Sequence, residues 1–265
     1  MSKILHTVAV LSACGILLSA CSTTPGQTGH IGSSIESSVD ARLVLPPPPV
    51  AGGAAQADDD RVFHETRALQ GTPRWTLAQH DANLHTAQVV RSFSCAVGTT
   101  LDLTKMPHFE ALVKTTRKAI MHRTSEAKNF WHRTRPFVGT DLPVCTPTND
   151  LGPHSSYPSG HATEGYSVAL LLAHLLPERA SLILQRGRVF GESRIVCGAH
   201  WKSDVIAGLL NASTQMDALL AQPALQPDLA AARQELQTSL SHAVAPPAEE
   251  CAAEADAAAH SILPD

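Results

Sequence analysis

The sequence predicts an all-α fold, a single-domain helical bundle. Apolar residues recur at helical spacing through most of residues 61–245, and no alternating run bounded by hairpin turns indicates a strand. Apolar side chains make up 43% of the 265 residues, enough for one well-packed core. The formal charge of −4 and the 4% of aromatic residues give no reason to expect a nucleic acid polymer as a partner.

Residues 1–20 predict a secretory signal peptide, because Lys3 precedes an apolar run that is too short to span a bilayer. The stretch LSAC, which ends at Cys21, resembles the lipobox of bacterial lipoproteins, in which the cysteine is lipidated. We therefore expect a periplasmic protein tethered to the outer membrane through Cys21. The alternatives are an ordinary signal peptide cut nearby, a similar site ending at Cys14, and a soluble periplasmic or secreted protein.

Segments of different composition flank the predicted helical domain of residues 61–245. Residues 21–60 are rich in Ser, Gly, Pro and Ala and contain LPPPPVAGG, which predicts a tether and an extended N-terminal arm. The Ala- and Glu-rich residues 246–265 predict a flexible C-terminal tail. Four cysteines follow the leader, and in an oxidising compartment they permit two disulfides with three possible pairings, among Cys95, Cys145, Cys197 and Cys251.

The helices follow from apolar periodicity and from start and stop residues. Proline opens one segment near a first helical turn, where its missing N–H costs nothing, and a Ser-Asp pair opens another. A loop rich in Pro, Thr, Asn and Gly interrupts the series at residues 136–160. The predicted helices cover residues 74–97, 107–131, 161–176, 178–198, 203–220 and 227–243.

The first of three polar motifs is PSGH at residues 158–161, immediately before the most apolar helix. Unpaired N–H groups and the positive end of the helix dipole meet at such a helix start, which therefore suits a phosphate. Gly160 would let the backbone approach a ligand. Taken alone, the motif is equally well explained by Ser159 as an ordinary N-cap, with His161 incidental.

The second motif is KNFWHRTRP, in which Lys128 and Arg135 stand seven residues apart. Two helical turns would place both side chains on one side of a helix that stops at Pro136. Two cations on one face suit an anion, although a solvated basic face is the common explanation of such a pair.

The third motif is GESRIVCGAHWKSD at residues 191–204, with Arg194, His200 and Asp204. At a spacing of four residues, the carboxylate can accept one ring N–H and turn the other ring nitrogen outward as a nucleophile. Together the three motifs supply cations, helix-terminal N–H groups, an oriented histidine and a second histidine. That set suffices to transfer a phosphoryl group without a metal.

The three motifs in this order resemble the signature of type 2 phosphatidic acid phosphatases, bacterial non-specific acid phosphatases and vanadium haloperoxidases. Residues 191–205 and the stretch GTPRWTLAQHDANL at residues 71–84 are most similar to the class A secreted acid phosphatases. The resemblance covers residues 45–240. It implies a helical bundle of that type, no cofactor, a homo-oligomer, and an acid phosphatase acting on a broad range of small phosphomonoesters, with nucleotides among the candidates.

The resemblance also implies roles for individual residues. His200 would attack phosphorus and carry a phosphohistidine, with Asp204 orienting it. His161 would protonate the leaving alcohol and later deprotonate water, and an alcohol in place of water would give phosphotransfer. The phosphoryl oxygens would be bound by a set of cations and helix-terminal groups, namely Lys128, Arg135, Ser159, Gly160 and Arg194.

Three alternatives stay open at the level of sequence. A vanadium-dependent haloperoxidase or a lipid phosphate phosphatase would use the same anion pocket, and a non-enzymatic outer-membrane lipoprotein would keep only the fold. The chain departs from its closest resemblances at Ala162, where a threonine is common, and in residues 138–157, which lack a lysine- and asparagine-rich stretch. These departures affect the expected preference for leaving groups and remove no catalytic group.

Overall fold

The computed structural model of the protein describes residues 35–263, in which all regular structure is helical, and the all-α prediction is confirmed. The predicted signal peptide of residues 1–20 and Cys21 lie outside the described residues. No helix within residues 35–263 combines the length and the apolarity that crossing a membrane requires. The helices are α1 (Ala41–Val44), α2 (Ala54–Thr66), α3 (Pro73–Asp81), α4 (Thr86–Arg91), α5 (Ser94–Val97), α6 (Pro107–Trp131), α7 (Gly160–Leu175), α8 (Ala180–Val196), α9 (Lys202–Leu220), α10 (Gln226–Ser241) and α11 (Ala248–Ala259).

Helix α7 is the centre of the bundle, packed between α6, α8 and α9. Its apolar residues are buried around most of its circumference, as expected for a helix that is hydrophobic on all sides. Gly165 permits α7 to pack closely against α8, because a Cβ at this position would lie 2.1 Å from the ring of Phe190 on α8. The large main core therefore fixes the starts of α7 and α9 and the end of α8 relative to one another.

The predicted helix over residues 74–97 is instead three short helices, α3, α4 and α5. Asn83 breaks the periodicity, since its Oδ1 accepts the backbone N–H of His85 at 3.0 Å in place of a helical carbonyl. Gly98, at φ +85°, then ends α5. The break after α3 leaves the carbonyl of Ala82 available to a side chain from another helix.

The N-terminal arm is more ordered than its composition predicted. Helix α2 begins at Ala54, inside the segment expected to be a tether, and α1 packs its Ala41 against a small buried cluster. The Tyr157 hydroxyl donates to the carbonyl of Pro46 at 2.5 Å, which holds the proline run against the bundle. Helix α2 was not predicted because the charged run DDD is typical of a solvent-exposed segment. One of these carboxylates, Asp59, is instead buried in an ion pair.

The C-terminal segment differs from the expected flexible tail, because residues 248–259 form α11. A disulfide joins Cys251 of this helix to Cys95, and Glu254 pairs with the buried Arg186 at 3.1 Å. Ala257 is buried against the bundle. Alanine-rich composition suggested a loose segment, whereas the covalent link and the buried ion pair hold the helix in place.

The second disulfide, Cys145–Cys197, resolves the three pairings that the sequence left open. It ties the long loop between α6 and α7 to the residue that follows α8. The N–H of Cys145 also donates to the carbonyl of Cys197 at 2.9 Å. The loop that follows Arg135 is therefore anchored beside the end of α8, where Arg194 and His200 lie.

Candidate active site

The three polar motifs meet where α7 and α9 begin and α8 ends. The N–H of Ser159 donates to the carbonyl of Asp204 at 2.9 Å, which joins the starts of α7 and α9. A Cβ on Gly160 would lie 3.5 Å from Cε of Lys128, so the lysine stem runs past the start of α7. Arg135 Nη1 lies 2.9 Å from His200 Nε2. The structure thus brings together groups that are up to 76 residues apart in the sequence.

His200 occupies a turn between α8 and α9, in the gap between the helices predicted for residues 178–198 and 203–220. The N–H groups of Ala199 and His200 both donate to the carbonyl of Arg194, at 3.1 and 3.3 Å. Gly198 makes this turn possible at φ +79°, and a Cβ there would lie 2.5 Å from a guanidinium nitrogen of Arg67. One short turn therefore places both Arg194 and His200.

The tautomer of His200 follows from its two partners. A guanidinium can only donate, so Nε2 of His200 accepts from Arg135, and the proton of a neutral ring lies on Nδ1. Nδ1 is 3.3 Å from Oδ2 of Asp204. Burial, followed by the positive charges of Arg135, Lys128 and Arg194, holds the pKa of His200 well below its usual value. The ring is neutral, and the Nε2 lone pair faces the cations.

Asp204 is completely buried and accepts hydrogen bonds from four groups. Oδ2 accepts the His200 ring N–H, the N–H of Trp201 at 2.9 Å and the hydroxyl of Ser156 at 2.5 Å. Oδ1 accepts from Arg133 Nη1 at 2.7 Å. The carboxylate also belongs to the first turn of α9, where the helix dipole favours a negative charge. Sequence reasoning missed Ser156 and Arg133, although a second arginine two residues before Arg135 was a signal.

Arg135 reaches the site by a route that differs from the predicted one. Helix α6 ends at Trp131, and His132 adopts a left-handed conformation at φ +46°, so Arg135 lies in the following loop. Its guanidinium donates to the carbonyls of Gly152 at 2.9 Å and Ala199 at 2.8 Å. The seven-residue spacing therefore does not represent two turns of one helix, and backbone carbonyls fix the side chain instead.

Three cations lie around His200, the buried Arg135 and Arg194 and the partly buried Lys128, and none has a carboxylate partner among the described residues. Within residues 35–263, none of them forms an ion pair, and Nε of the 1%-exposed Arg194 has no hydrogen-bond partner. The nearest partner of Arg194 Nη1 is Sγ of Cys197, at 3.8 Å. Burial lowers the pKa of Lys128 to about 7, that of Arg194 to about 9 and that of Arg135 to about 10. A buried, uncompensated positive cluster is a site for an anion.

The start of α7 borders this cluster with polar backbone. The Ser159 hydroxyl accepts the N–H of Ala162 at 3.3 Å, so this side chain is also the N-cap that the alternative explanation required. The N–H groups of Gly160 and His161 have no acceptor in the part of the chain that the structure describes. Lys128 Nζ donates to the carbonyl of Ser155 at 2.6 Å, directly before this segment.

His161 is partly buried at the first turn of α7. Its Nε2 donates to the carbonyl of Ala82 at 3.2 Å, in the break between α3 and α4. A neutral ring with this hydrogen bond carries its proton on Nε2 and leaves Nδ1 as the basic nitrogen. Burial, followed by the charge of Arg194 and by His200, lowers the pKa of His161 well below its usual value.

Comparisons with known proteins agree with this geometry. A family model described as the PAP2 superfamily matches residues 111–214, the segment that contains all three motifs. An acid phosphatase of Zymomonas mobilis subsp. mobilis is 45% identical over 84% of this chain and 83% of its own length. A non-specific acid phosphatase of Salmonella typhimurium is 37% identical over 80% of this chain and 86% of its own, and one of Providencia stuartii is 34% identical over 75% and 81%. These relatives confirm the resemblance that the motifs carried and the prediction that the chain is an enzyme. The chain belongs to the acid phosphatases of the PAP2 superfamily.

Proposed function

We propose that the enzyme hydrolyses phosphate monoesters through a covalent phosphohistidine at His200, with protein cations in the role that a metal has elsewhere. The observation that carries the proposal is the cluster of the buried Arg135 and Arg194 with the partly buried Lys128, which has no carboxylate partner within residues 35–263. A phosphate monoester brings close to two negative charges and three oxygens. Guanidinium groups and helix-terminal N–H groups match those oxygens and stabilise the charge of the transition state.

The first step is attack of His200 Nε2 on phosphorus. The new N–P bond forms as the ester P–O bond breaks, and the departing oxygen takes a proton from His161 to leave as an alcohol. Nδ1–H of His200 remains bonded to Asp204, whose negative charge stabilises the positive charge that develops on the ring. Arg135, already in contact with Nε2, moves its donor to a phosphoryl oxygen.

The second step is attack of water on the phosphorylated His200. His161 accepts the proton of the water molecule, the P–N bond breaks, and phosphate leaves with the imidazole restored to its neutral form. An alcohol in place of water would give a new phosphomonoester, which is the proposed phosphotransferase side activity. The same His161 acts first as an acid and then as a base, so its protonation must alternate during each turnover.

Substrate binding supplies the protonated His161 that the first step needs. In the empty pocket, burial and Arg194 lower the pKa of His161. A bound phosphate adds negative charge beside the ring and offsets the cations, which raises the affinity of His161 for a proton. The reaction therefore favours an acidic medium, in which the proton is available and the cations are fully charged.

The proposed substrates are a broad range of small phosphomonoesters, including nucleotides. The names of two relatives, which describe non-specific acid phosphatases, support this breadth. Haloperoxidase and lipid phosphatase activities would use the same cations, and no observation in the described part of the chain favours them. We also propose a homo-oligomer in the periplasm, held at the outer membrane by a lipidated Cys21, and the two disulfides suit that oxidising compartment.

Replacing Arg194 with methionine should abolish phosphate binding and stabilise the fold. The neutral side chain removes a buried cation whose ionised form is disfavoured by burial, so we expect the melting temperature to rise by about 2–4 °C. Affinity for inorganic phosphate, measured by calorimetry, should fall at least about 30-fold. The matched control is Arg186→Met. Arg186 is equally buried but pairs with Asp81 at 2.6 Å, so its loss should lower the melting temperature. Destabilisation in both variants would contradict the anion-site interpretation.

Replacing His200 with alanine should reduce turnover of an aryl phosphate by at least about 10⁴-fold, because no other imidazole within residues 35–263 contacts the guanidinium of Arg135. The wild-type enzyme, quenched in alkali during turnover of a ³²P-labelled substrate, should carry label on histidine, and its activity should survive EDTA. His122→Ala, on the exposed surface of α6, is the control. More than about 1% residual activity in the His200 variant would refute the nucleophile assignment.

The decrease of kcat/KM at alkaline pH, its alkaline limb, should follow the deprotonation of Lys128. Burial lowers the pKa of this lysine to about 7, so the ammonium is charged below pH 7 and loses its proton as the pH rises through that value. We expect kcat/KM to fall above about pH 7, and Lys128→Arg to shift the limb to higher pH because a guanidinium stays charged. Lys118→Arg, on the exposed face of the same helix, should change nothing. A limb that stays in place in the Lys128 variant belongs to another group.

Replacing Cys21 with alanine tests the proposed anchor. Without the thiol no lipid can be attached, so the phosphatase should move from the membrane fraction to the soluble periplasmic fraction. Activity in each fraction and incorporation of labelled palmitate report the outcome. An unchanged distribution between the fractions would exclude lipidation at this cysteine.

A further inference from the structure

We propose that Arg133 and Asp59 are positioning residues for the reaction, acting on His200 through Asp204. Neither residue touches the cluster of Lys128, Arg135 and Arg194. Arg133 stands within the second motif but has no role assigned there, and Asp59 lies outside all three motifs. The proposal rests on the proposed function, since it assigns a role in the same site. It also gives helix α2, which lies before the matched residues 111–214, a part in catalysis.

Arg133 bridges two buried carboxylates. Its Nη1 donates to Oδ1 of Asp204 at 2.7 Å and to the hydroxyl of Ser203 at 2.6 Å. Its Nη2 donates to Oδ2 of Asp59 and to Oε1 of Gln56, both at 2.7 Å. The side chain is buried to within a few per cent, so these contacts are not exchanged for water. Every terminal N–H of the guanidinium is used, and its orientation is therefore fixed.

Asp59 holds Arg133 and the start of α9 at the same time. The carboxylate is 1% exposed. Besides its ion pair with Arg133, it accepts the N–H of Ser203 at 2.8 Å and the Ser203 hydroxyl at 2.5 Å. Ser203 belongs to the first turn of α9, one residue before Asp204. Asp59 thus restrains Asp204 in two ways. It holds Arg133, which binds the Asp204 carboxylate, and it binds the backbone N–H of Ser203, the residue before Asp204.

This restraint decides which direction the Asp204 carboxylate faces. Oδ1 is held by Arg133, which leaves Oδ2 for Nδ1–H of His200. Asp204 also attracts Lys128 and Arg135, because its negative charge offsets part of the lowering that burial imposes on the pKa of each. Without Arg133, the carboxylate could rotate towards those cations and release His200. Misplacement of a reacting group by about 1 Å can cost about 100-fold in rate.

The test compares two adjacent aspartates of α2. Asp59→Asn should lower kcat by about 10- to 100-fold, while the inhibition constant for inorganic phosphate stays within about threefold, because the cations do not contact Asp59. The matched control is Asp58→Asn. Asp58 also binds the first turn of α9, through Lys202 Nζ at 2.9 Å, but it has no contact with Arg133. Its kcat should stay within about twofold of wild type.

A double-mutant cycle shows whether Asp59 acts through Arg133. Arg133→Lys keeps the charge but cannot reach both carboxylates, so it should lower kcat to a similar extent. The double variant with Asp59→Asn should be no more than about twofold slower than the slower single variant. Asp59→Glu keeps the charge and should recover part of the rate. Circular dichroism identifies any variant that fails to fold, and the remaining variants then decide the outcome.

Three results would overturn the proposal: an Asp59→Asn enzyme within about twofold of the wild-type kcat, equal losses in the Asp58 and Asp59 variants, or multiplicative losses in the double variant. A phosphate inhibition constant that weakens in step with kcat would show collapse of the anion site and would also overturn it. A different result would show that the proposed function itself is wrong. That result is turnover that survives His200→Ala in the otherwise unchanged enzyme.

Discussion

The buried carboxylate of Asp204 is the interaction on which the rest of the site depends. It accepts a backbone N–H at the start of α9, a serine hydroxyl from the preceding loop, a guanidinium and the ring of His200. A helix start, a loop and the ring of His200 are therefore aligned by one group. The backbone of the same residue accepts the N–H of Ser159, so α7 is placed relative to α9 by this aspartate as well. Asp204 therefore both positions two helices and orients the ring of His200.

The site carries a cost in stability that the fold must offset. Two buried arginines and the partly buried Lys128 lie together, the neighbouring His200 is kept neutral, and one nitrogen of Arg194 has no partner among the described residues. Such a cluster disfavours folding until an anion arrives. The largely buried apolar helix α7 and two disulfides supply compensating stability, and the Cys145–Cys197 bridge lies against Arg194 itself. The proposed affinity for phosphate would follow from the same uncompensated charge that destabilises the empty protein.

Sequence predicted the all-α fold and the bounds of several helices well, and the connections between the helices poorly. Helices α6 and α9 begin and end within about one residue of their predicted bounds, because proline and polar start signals act locally. Asn83 broke a predicted helix through a side-chain hydrogen bond that periodicity does not register. Arg135 lies in the loop after α6, although its seven-residue spacing from Lys128 suggested that one helix carries both side chains. The burial of Asp59 was not predicted, because nothing in the composition of its charged run distinguishes a buried carboxylate from a solvated one.

These differences share a physical cause. The segment of residues 111–214 supplies the groups that would touch phosphate, but their orientation depends on flanking chain. Asp59 of α2 binds Arg133, which in turn binds Asp204. The carbonyl of Ala82, in the break after α3, accepts a hydrogen bond from Nε2 of His161. Arg67 donates to the last carbonyls of α8, through Ile195 at 2.8 Å. A short motif can specify the chemistry of a site because it names side chains. Their alignment is a property of contacts that are distant in sequence, so it emerges only when the whole bundle has packed.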